Sequence, residues 1–417
     1  MLNKLFLVLL SLMLSVFSLT FLHSRGTHDR ITWEHWAEKS NNFGFIKAYE
    51  MNSSHSYPPL SFVILDFVGK VSKIFKIELF GGIKISITLF LFLTSICFFY
   101  FTKDIYLSLI LHLSLLLNSI SLGYIDVYFA PFLILSLYFL KNNNFNIFSI
   151  FFSISIFIKW QPIILIPFVI LYLMKINTLK NQWFYINILS PIVFISTTII
   201  IIFGLFPIMN TLIAATSHNL LSGNALNFNW ILTHFLRLFN PSYYGGFIDG
   251  KCTYIIATSI KEVIVSRFIF ISLFVTAMVS FWNKKSSFEN FLLFSILGYW
   301  SYFTFNIGVH ENHLFIVNIL SLLLYSVNKN YLSLAITLTL MSNINMFLFY
   351  GIDGSGLPFN RAILNLLDTA FLISIFNVLI FVLFWFKYVL TKYKEQNDTI
   401  EKSYTKQTSD PFSQKIW

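Results

Sequence analysis

Apolar runs of about membrane-spanning length follow one another along almost the whole chain. A helix needs roughly 17–25 residues to cross the hydrocarbon core of a bilayer. Runs of or close to that length lie near 5–23, 82–101, 104–120, 123–140, 145–160, 162–174, 183–205, 264–282, 288–306, 314–328, 331–349 and 364–390. Only helices and closed barrels satisfy every backbone hydrogen bond in lipid. The pattern predicts an all-α polytopic membrane protein with about a dozen transmembrane helices.

Composition excludes a soluble globular fold. Hydrophobic residues make up 56% of the chain and charged residues only 11%, and the mean hydropathy is +0.73. A soluble protein with this composition would have too few polar side chains to cover its surface.

The lysines set the orientation, because positively charged loops gather on the cytoplasmic side of a membrane. With the amino terminus inside, the inner connections carry Lys103, Lys141, Lys175, Lys180, Lys284, Lys285, Lys329, Lys387, Lys392 and Lys394. The loop from Thr27 to Pro59 is then external. This arrangement explains most of the net charge of +10, so the charge does not indicate a nucleic-acid partner. The partner that the sequence does predict is the lipid bilayer.

The chain is predicted to form one membrane domain, residues 1–394, followed by a polar, disordered inner-face tail, residues 395–417. Its large first external loop, residues 24–80, is expected to contain short amphipathic helices. Residues 60–78 are apolar at first and then carry lysines at helical spacing, which is typical of a helix that lies in the membrane interface.

The first apolar run is interpreted as a retained anchor, because it has no clear small-x-small cleavage site and is long for a signal peptide. Cys97 lies inside an apolar run and Cys252 lies in a predicted external stretch. They cannot face each other in this topology, so no disulfide framework is expected.

The external loop concentrates acidic and aromatic residues. Asp29, Glu34, Glu38 and Glu50 account for four of the 18 acidic residues of the whole chain. Solubility does not require such a concentration, so the loop is the first candidate for a functional site.

Other polar residues are predicted at the outer ends of the spans. Ionisable groups at membrane depth are costly and indicate function, so we expect one outward-facing cavity that combines acids, a histidine and a cation. Its candidate members are Asp29, His35, Glu38, Tyr57, Asp126, Lys159, Gln161, Arg237, His310, Glu311 and His313.

Several motifs appear in a characteristic order: Asp29, then His35-Trp36-x-Glu38, then Tyr57-Pro58-Pro59, and later Gly308-Val309-His310-Glu311. The order resembles that of the multispanning glycosyltransferases of the type C fold over roughly residues 1–330. The spacing in the loop is similar to the endoplasmic-reticulum glucosyltransferases that extend lipid-linked oligosaccharides. The short loop before Tyr57, together with the segments around Asp126 and Lys159, is similar to bacterial relatives of membrane mannosyltransferases.

The resemblance implies an inverting hexosyltransferase that uses a sugar on a polyprenyl phosphate, with mannose or glucose favoured. The acceptor would be a glycan or a lipid-linked glycan on the outer or lumenal face. No cofactor is implied, and the monosaccharide-phosphate branch usually needs no metal. A bacterial inner membrane is favoured over the endoplasmic reticulum, because the first loop is compact.

The catalytic base implied by the resemblance is Asp29, which would take the proton of the acceptor hydroxyl. The structural alternative is that Asp29 caps a helix beginning at Arg30. His35 and Glu38 share one face of a helix and are expected to hydrogen-bond an acceptor sugar, while Trp36 anchors the loop at the interface. The alternative for these three residues is an interfacial aromatic helix with solvated charges.

For Lys159, the resemblance favours binding of the lipid phosphate, with Gln161 adding a hydrogen bond. The alternative is a lysine that extends to the headgroups. Tyr57 belongs to a segment in which Pro58 and Pro59 fix an extended backbone. Asp126 either pairs with Lys159 or contacts a sugar hydroxyl.

The segment from His310 to His313 is expected to orient the donor, with helix-end capping as the alternative. Its two histidines do not have the His-Glu-x-x-His spacing of zinc hydrolases, so no metal site is predicted. Arg237 and Arg361 are external arginines that could meet a phosphate bidentately, although no motif supports either.

Two other functional classes remain open. A transporter or flippase of lipid-linked sugars would place its charges near the midplane on broken helices, whereas the acids of this chain concentrate in an external loop. A noncatalytic membrane subunit would tolerate replacement of Asp29.

Overall fold

The computed structural model describes residues 12–14, 16–52, 55–176, 182–217, 220–255, 260–364 and 367–390. The predicted inner-face tail, residues 395–417, and residues 5–11 and 15 of the first apolar run lie outside these ranges.

The described chain is predominantly helical. The helices are α1 (Asp29–Phe43), α2 (Phe45–Met51), α3 (Pro59–Phe75), α4 (Leu79–Thr102), α5 (Ile105–Leu115), α6 (Ala130–Lys141), α7 (Phe145–Ile158), α8 (Ile166–Lys175), α9 (Gln182–Phe203), α10 (Leu205–Thr216), α11 (Phe228–Phe239), α12 (Ile260–Trp282), α13 (Phe288–Phe305), α14 (Phe315–Val327), α15 (Leu332–Tyr350) and α16 (Thr369–Trp385). Short helical turns, among them Pro241–Tyr244 and Glu311–Leu314, lie between them. Two short strand pairs accompany them: β1 (Ser222–Gly223) is parallel to β2 (Val309–His310), and β3 (Ala362–Leu364) is antiparallel to β4 (Leu367–Asp368).

Five helical stretches of the described chain are long and apolar enough to cross a membrane. They are Leu79–Thr102, Ile186–Phe203, Val263–Trp282, Lys329–Tyr350 and Thr369–Leu390. The all-α membrane class predicted from the sequence agrees with this architecture. Most of the other predicted runs appear as shorter apolar helices of 10–17 residues.

Two pairs of predicted spans are joined by irregular backbone. Between α5 and α6 the chain forms a π-turn at Leu117–Ser121 and a 3-10 turn at Ile125–Phe129. Between α7 and α8 it forms a 3-10 turn at Gln161–Leu165, next to Lys159 with extended backbone angles of −147° and 134°. Non-helical backbone at membrane depth is tolerated where it is buried in protein or lines a cavity.

Helix α13 is the centre of the packing. Every residue from Phe291 to Ser301 is buried, and α13 packs against α8, α12, α14 and α16. The approach to α8 is close: a Cβ atom added at Gly298 would lie 2.4 Å from the ring of Phe168.

The predicted helix at 60–78 is present as α3. Pro58 is extended, with φ −76° and ψ 166°, and Pro59 opens the helix, as expected of a residue that already has a helical φ. One face of α3 packs on α1 and α4, while Phe67, Ile74 and Phe75 on the other side are exposed. Lys70 and Lys73 are exposed as well, and a mixture of apolar and basic exposed side chains suits the predicted position in the membrane interface.

Candidate functional site

A cavity of about 650 Å³ collects residues from well-separated parts of the chain. It lies among α1, the turn after α7, one face each of α10 and α12, and the segment that begins at β2. The predicted site residues that line it are Asp29, Trp36, Tyr57, Lys159, Gln161, His310, Glu311 and His313.

The segment that leads into α1 is held in place by hydrogen bonds between its backbone and distant parts of the chain. The fully buried Lys84 donates to the carbonyl oxygens of Phe21 (2.9 Å) and Ser24 (2.6 Å). The amide of Gly26 donates to Asp353 O (2.9 Å), and that of Thr27 donates to Leu122 O (2.9 Å). These contacts fix where the chain leaves the first apolar segment and therefore where Asp29 stands.

Close packing against the backbone of this segment limits which residue can occupy position 354. Gly354 has φ +88°, and an added Cβ atom there would lie 2.0 Å from Gly26 O. Only glycine combines that φ with that proximity at low cost.

Asp29 is the first residue of α1, and its carboxylate does not act as a cap. His28 occupies the N-cap position without a side-chain cap hydrogen bond, so the alternative of a helix that begins at Arg30 and is capped by Asp29 is wrong. The Asp29 carboxylate makes no hydrogen bond with any residue that the structure describes. It is a partly buried acid facing the cavity.

Burial raises the pKa of the Asp29 carboxyl to about 7, and the negative charges of Glu311 and Asp126 add to the increase. The positive charges of Lys159 and His28 oppose it. A carboxyl group with a pKa near neutrality is suited to accept and release a proton at physiological pH.

Lys159 and Asp126 form a buried ion pair. Their Nζ and Oδ1 atoms are 2.6 Å apart, and the two side chains are 9% and 0% exposed. Tyr57 donates to the same carboxylate oxygen (2.9 Å), Lys159 contacts the Tyr57 hydroxyl, and Asn312 donates to Asp126 Oδ2 (2.7 Å). Of the two roles open for Asp126, the structure has the pair with Lys159. The alternative that Lys159 extends to the headgroups is wrong.

Glu311 is held by two tyrosines. The hydroxyl of Tyr350 donates to its Oε1 atom at 3.0 Å, and the hydroxyl of Tyr124 donates to the same atom. Its backbone carbonyl accepts from Asn345 (2.9 Å). These contacts aim the carboxylate at the cavity, where its charge acts on Asp29.

His310 and His313 occupy neighbouring positions at the cavity wall. Their ring centroids are 5.6 Å apart, and the His313 ring stacks on Tyr302, whose hydroxyl lies 3.2 Å from Nδ1. The residue paired with His310 across β1 and β2 is Gly223, where an added Cβ atom would lie 2.6 Å from the ring of His310.

Several buried polar atoms of the cavity wall have no hydrogen-bond partner among the described residues. Both amide atoms of Gln161 are unpaired, although the residue is only 7% exposed. The same holds for Asn312 Oδ1 and for the indole nitrogens of Trp33, Trp36 and Trp160. Unpaired buried polar groups are costly. These atoms are themselves covered by neighbouring protein atoms, so a polar ligand would reach them only after small side-chain movements in the wall.

The aromatic residues of the loop form a compact cluster. Trp33 contacts Trp36 and Tyr57 edge-to-face at 5.0 Å, and Trp36 stacks on Phe62 at 4.6 Å. Trp36 is only 1% exposed, so its predicted place as an anchor at the membrane interface is corrected to a place in the core of the loop.

The structure does not bring His35 and Glu38 to the cavity. The buried stripe of α1 consists of Trp33, Trp36, Ala37 and Ser40. His35 and Glu38 share a face, as predicted, but it is the opposite and exposed face. Their expected contact with an acceptor is therefore not supported by their position.

The two external arginines have structural partners. Arg237 donates to the carbonyl oxygens of Thr253 (3.0 Å), Gly246 (2.7 Å) and Tyr254 (2.9 Å), away from the cavity. Arg361 pairs with the buried Asp368 at 3.2 Å. Neither arginine is placed to meet a phosphate in the cavity.

Sequence reasoning missed other members of the site. Asn312 belongs to the predicted segment from His310 to His313, but no separate role was predicted for it. Tyr350 is at the end of an apolar run and gave no signal. Arg267 lines the cavity from within an apolar run, and an isolated charge in such a run is itself a signal of function.

Comparison of the sequence with protein-family models gives no match, and comparison with curated proteins gives none either.

Proposed function

We propose that this protein is an inverting membrane glycosyltransferase that moves a hexose from a polyprenyl-phosphate donor to a glycan or lipid-linked acceptor. The observation that carries the proposal is the Asp29 carboxyl, which lines a large cavity and has its pKa raised to about 7. The order of motifs that resembles the type C glycosyltransferases supports the same reaction.

In the proposed reaction, the acceptor hydroxyl attacks the anomeric carbon of the donor sugar. A new carbon–oxygen bond forms on one face while the bond to the phosphate oxygen breaks on the other, so the anomeric configuration inverts. The Asp29 carboxylate accepts the hydroxyl proton as this happens. The bonding electrons leave with the phosphate, whose charge then needs hydrogen-bond donors or a cation.

The sugar ring is proposed to lie against the unpaired polar atoms of the cavity wall. The Gln161 amide offers both a donor and an acceptor, and Asn312 Oδ1 offers an acceptor. The indole nitrogens of Trp33 and Trp160 offer donors. A hexose carries hydroxyl groups on every side and would pair with several of these atoms once their side chains turn toward the cavity.

The proposal also covers the number of membrane spans, the side to which the cavity opens and the type of membrane. About a dozen helices would cross the membrane, with the shorter helices on either side of the irregular joints completing the count. The cavity would face the outer side. A bacterial inner membrane is favoured, with the endoplasmic reticulum as the alternative.

The test is transfer by the purified protein from a set of synthetic polyprenyl-phosphate monosaccharides, with membrane extract as the source of acceptors, with and without a chelator. We expect transfer from at least one donor, with inverted anomeric configuration in the product. Absence of transfer from every donor, or retention of configuration, would contradict the proposal.

The pH dependence of transfer follows from the raised pKa of Asp29, which is about 7 compared with the ordinary value of 3.8. The base works only when ionised. We therefore expect the rate to fall about tenfold per pH unit below pH 7 and to level off above it. A rate that stays constant between pH 5 and pH 8 would remove Asp29 as the base.

Replacing the exposed pair His35 and Glu38 by alanine tests the position of the acceptor. Because both side chains lie on the outer face of α1, we expect transfer to change less than twofold. Trp33→Ala, on the cavity face of the same helix, is expected to lower transfer clearly. A large loss in the double variant together with normal transfer in Trp33→Ala would place the acceptor on the outer face.

A transporter or flippase of lipid-linked sugars is the second candidate. The irregular joints beside Asp126 and Lys159 favour it, because transporters bind their substrates at broken helices. Movement of a lipid-linked sugar across a vesicle membrane without any transfer would decide for this class.

A further inference from the structure

Arg267 is a charged residue within a stretch that is apolar enough to cross the membrane. It belongs to the stretch Val263–Trp282 of α12, and its neighbours Ile264, Val265 and Phe268 are exposed apolar side chains. It lies seven residues after the start of α12 at Ile260, or about 10 Å along the axis. In the predicted orientation α12 begins on the outer side, so Arg267 lies near the level of the outer headgroups.

Arg267 also belongs to the wall of the cavity. The residues of α12 that line the cavity are Arg267, Phe270 and Ile271, and those of α10 are Leu212, Ala215 and Thr216. Both sets have the i, i+3, i+4 spacing of a single helix face. Each helix therefore presents one face to the cavity.

The cavity is open on this side. Of these lining residues, Thr216, Arg267 and Ile271 are exposed. Next to them on the outer surface, Ile213 of α10 and Phe268 of α12 are also exposed. The gap between α10 and α12 is thus an apolar opening toward the bilayer with an arginine at its edge.

Among the described residues that line the cavity, the other basic side chain besides Arg267 and the histidines is Lys159, and its charge is already neutralised. Lys159 lies 2.6 Å from Asp126 in a buried pair, and an anion could recruit it only by breaking that pair. Arg267 makes no hydrogen bond or ion pair with any residue that the structure describes. A guanidinium can meet a phosphate with two parallel hydrogen bonds.

We propose that Arg267 binds the phosphate of a lipid-linked substrate in the opening between α10 and α12, with the polyprenyl chain lying in the bilayer against α12. The substrate class rests on the proposed function, whereas the place and the residue come from the cavity wall. The place of Arg267 on the wall of the cavity that contains Asp29 favours this role over that of an arginine that only extends to the headgroups.

The test measures binding of polyprenyl phosphate that carries no sugar. The full-length protein is placed in nanodiscs of neutral phosphatidylcholine, and binding is monitored by tryptophan fluorescence. We expect Arg267→Gln to weaken binding about tenfold or more, and Arg267→Lys to weaken it less, because the charge is kept and the planar fork is lost. Lys73→Gln is the matched control: it removes an exposed cation of α3 that is not part of the cavity, and we expect binding within twofold of the unmodified protein.

Two competitors identify the source of the phosphate. We expect neither inorganic phosphate nor phosphatidylglycerol to displace polyprenyl phosphate at equal concentration. Equal displacement by phosphatidylglycerol would make the opening a general anionic-lipid contact, and equal displacement by inorganic phosphate would remove the role of the chain. Unchanged binding in Arg267→Gln would also overturn the proposal.

The outcome is separable from that of the transfer reaction. Asp29→Asn is expected to bind polyprenyl phosphate normally. If binding depends on Arg267 and no donor supports transfer, the phosphate site stands and the glycosyltransferase proposal fails. If transfer occurs and binding does not depend on Arg267, the glycosyltransferase proposal stands and the phosphate site fails.

Discussion

Replacing Asp29 with asparagine is expected to lower sugar transfer by a factor of about 10²–10⁴, the range typical of a lost general base. The substitution keeps the shape of the side chain and removes its ability to accept a proton. Transfer should be measured at pH 8, where the carboxylate of the unmodified protein is ionised. Glu50→Gln, which neutralises an exposed acid of the same loop, is the matched control and should retain transfer.

The same variant should be at least as stable as the unmodified protein. The pKa of Asp29 is about 7 in the folded chain, compared with the ordinary value of 3.8. The folded state therefore binds this proton more tightly than the unfolded state does. The stabilising contribution of Asp29 is full below pH 3.8 and is lost as the pH rises to about 7. Above that pH, the uncharged asparagine avoids the cost of the buried charge, so a thermal unfolding temperature well below that of the unmodified protein at pH 8 would contradict this account.

Replacing Lys159 with methionine is expected to cost about 3–5 kcal/mol of unfolding free energy, because removal of one partner leaves a buried charge uncompensated. Within the described part of the chain, Asp126 would keep the hydrogen bonds from Tyr57 and Asn312 and no ion pair. The loss should be followed by thermal or denaturant unfolding in detergent. Removing both charges, in Lys159→Met with Asp126→Asn, should restore much of the stability.

The control for this prediction is Lys329→Met. Lys329 pairs with Asp104 at 3.9 Å, and the two side chains are 60% and 39% exposed. Exposed pairs of this kind contribute about 0–1 kcal/mol. An equal loss in the two variants would show that burial is not what makes the Lys159 pair important.

Most of the fold was predictable from the apolar runs, because hydropathy reports directly which segments avoid water. It was less predictable whether each apolar run forms one continuous helix. The sequences around Asp126 and Lys159 remain apolar enough to suggest ordinary spans, yet the backbone there is irregular. Hydropathy averages over a window and does not report whether the hydrogen bonds inside it are helical.

Part of the cavity wall was predictable from the sequence, whereas the orientation of the side chains was not. A spacing of three residues placed His35 and Glu38 on one face of α1 but did not reveal which face is buried. In the structure, the buried face is the one that carries Trp33 and Trp36. The pairing of Asp126 with Lys159 was one of two stated possibilities, and only the three-dimensional arrangement selected it.

The contacts that position Asp29 have a consequence for biogenesis. The loop before α1 is held by Asp353, and Glu311 is held by Tyr350, both of which leave the ribosome long after the loop itself. The amino-terminal motifs therefore emerge well before the segment that fastens them. The nascent chain can therefore insert its early helices before the cavity is complete, and activity is expected only after the residues around Tyr350 and Asp353 have been synthesised.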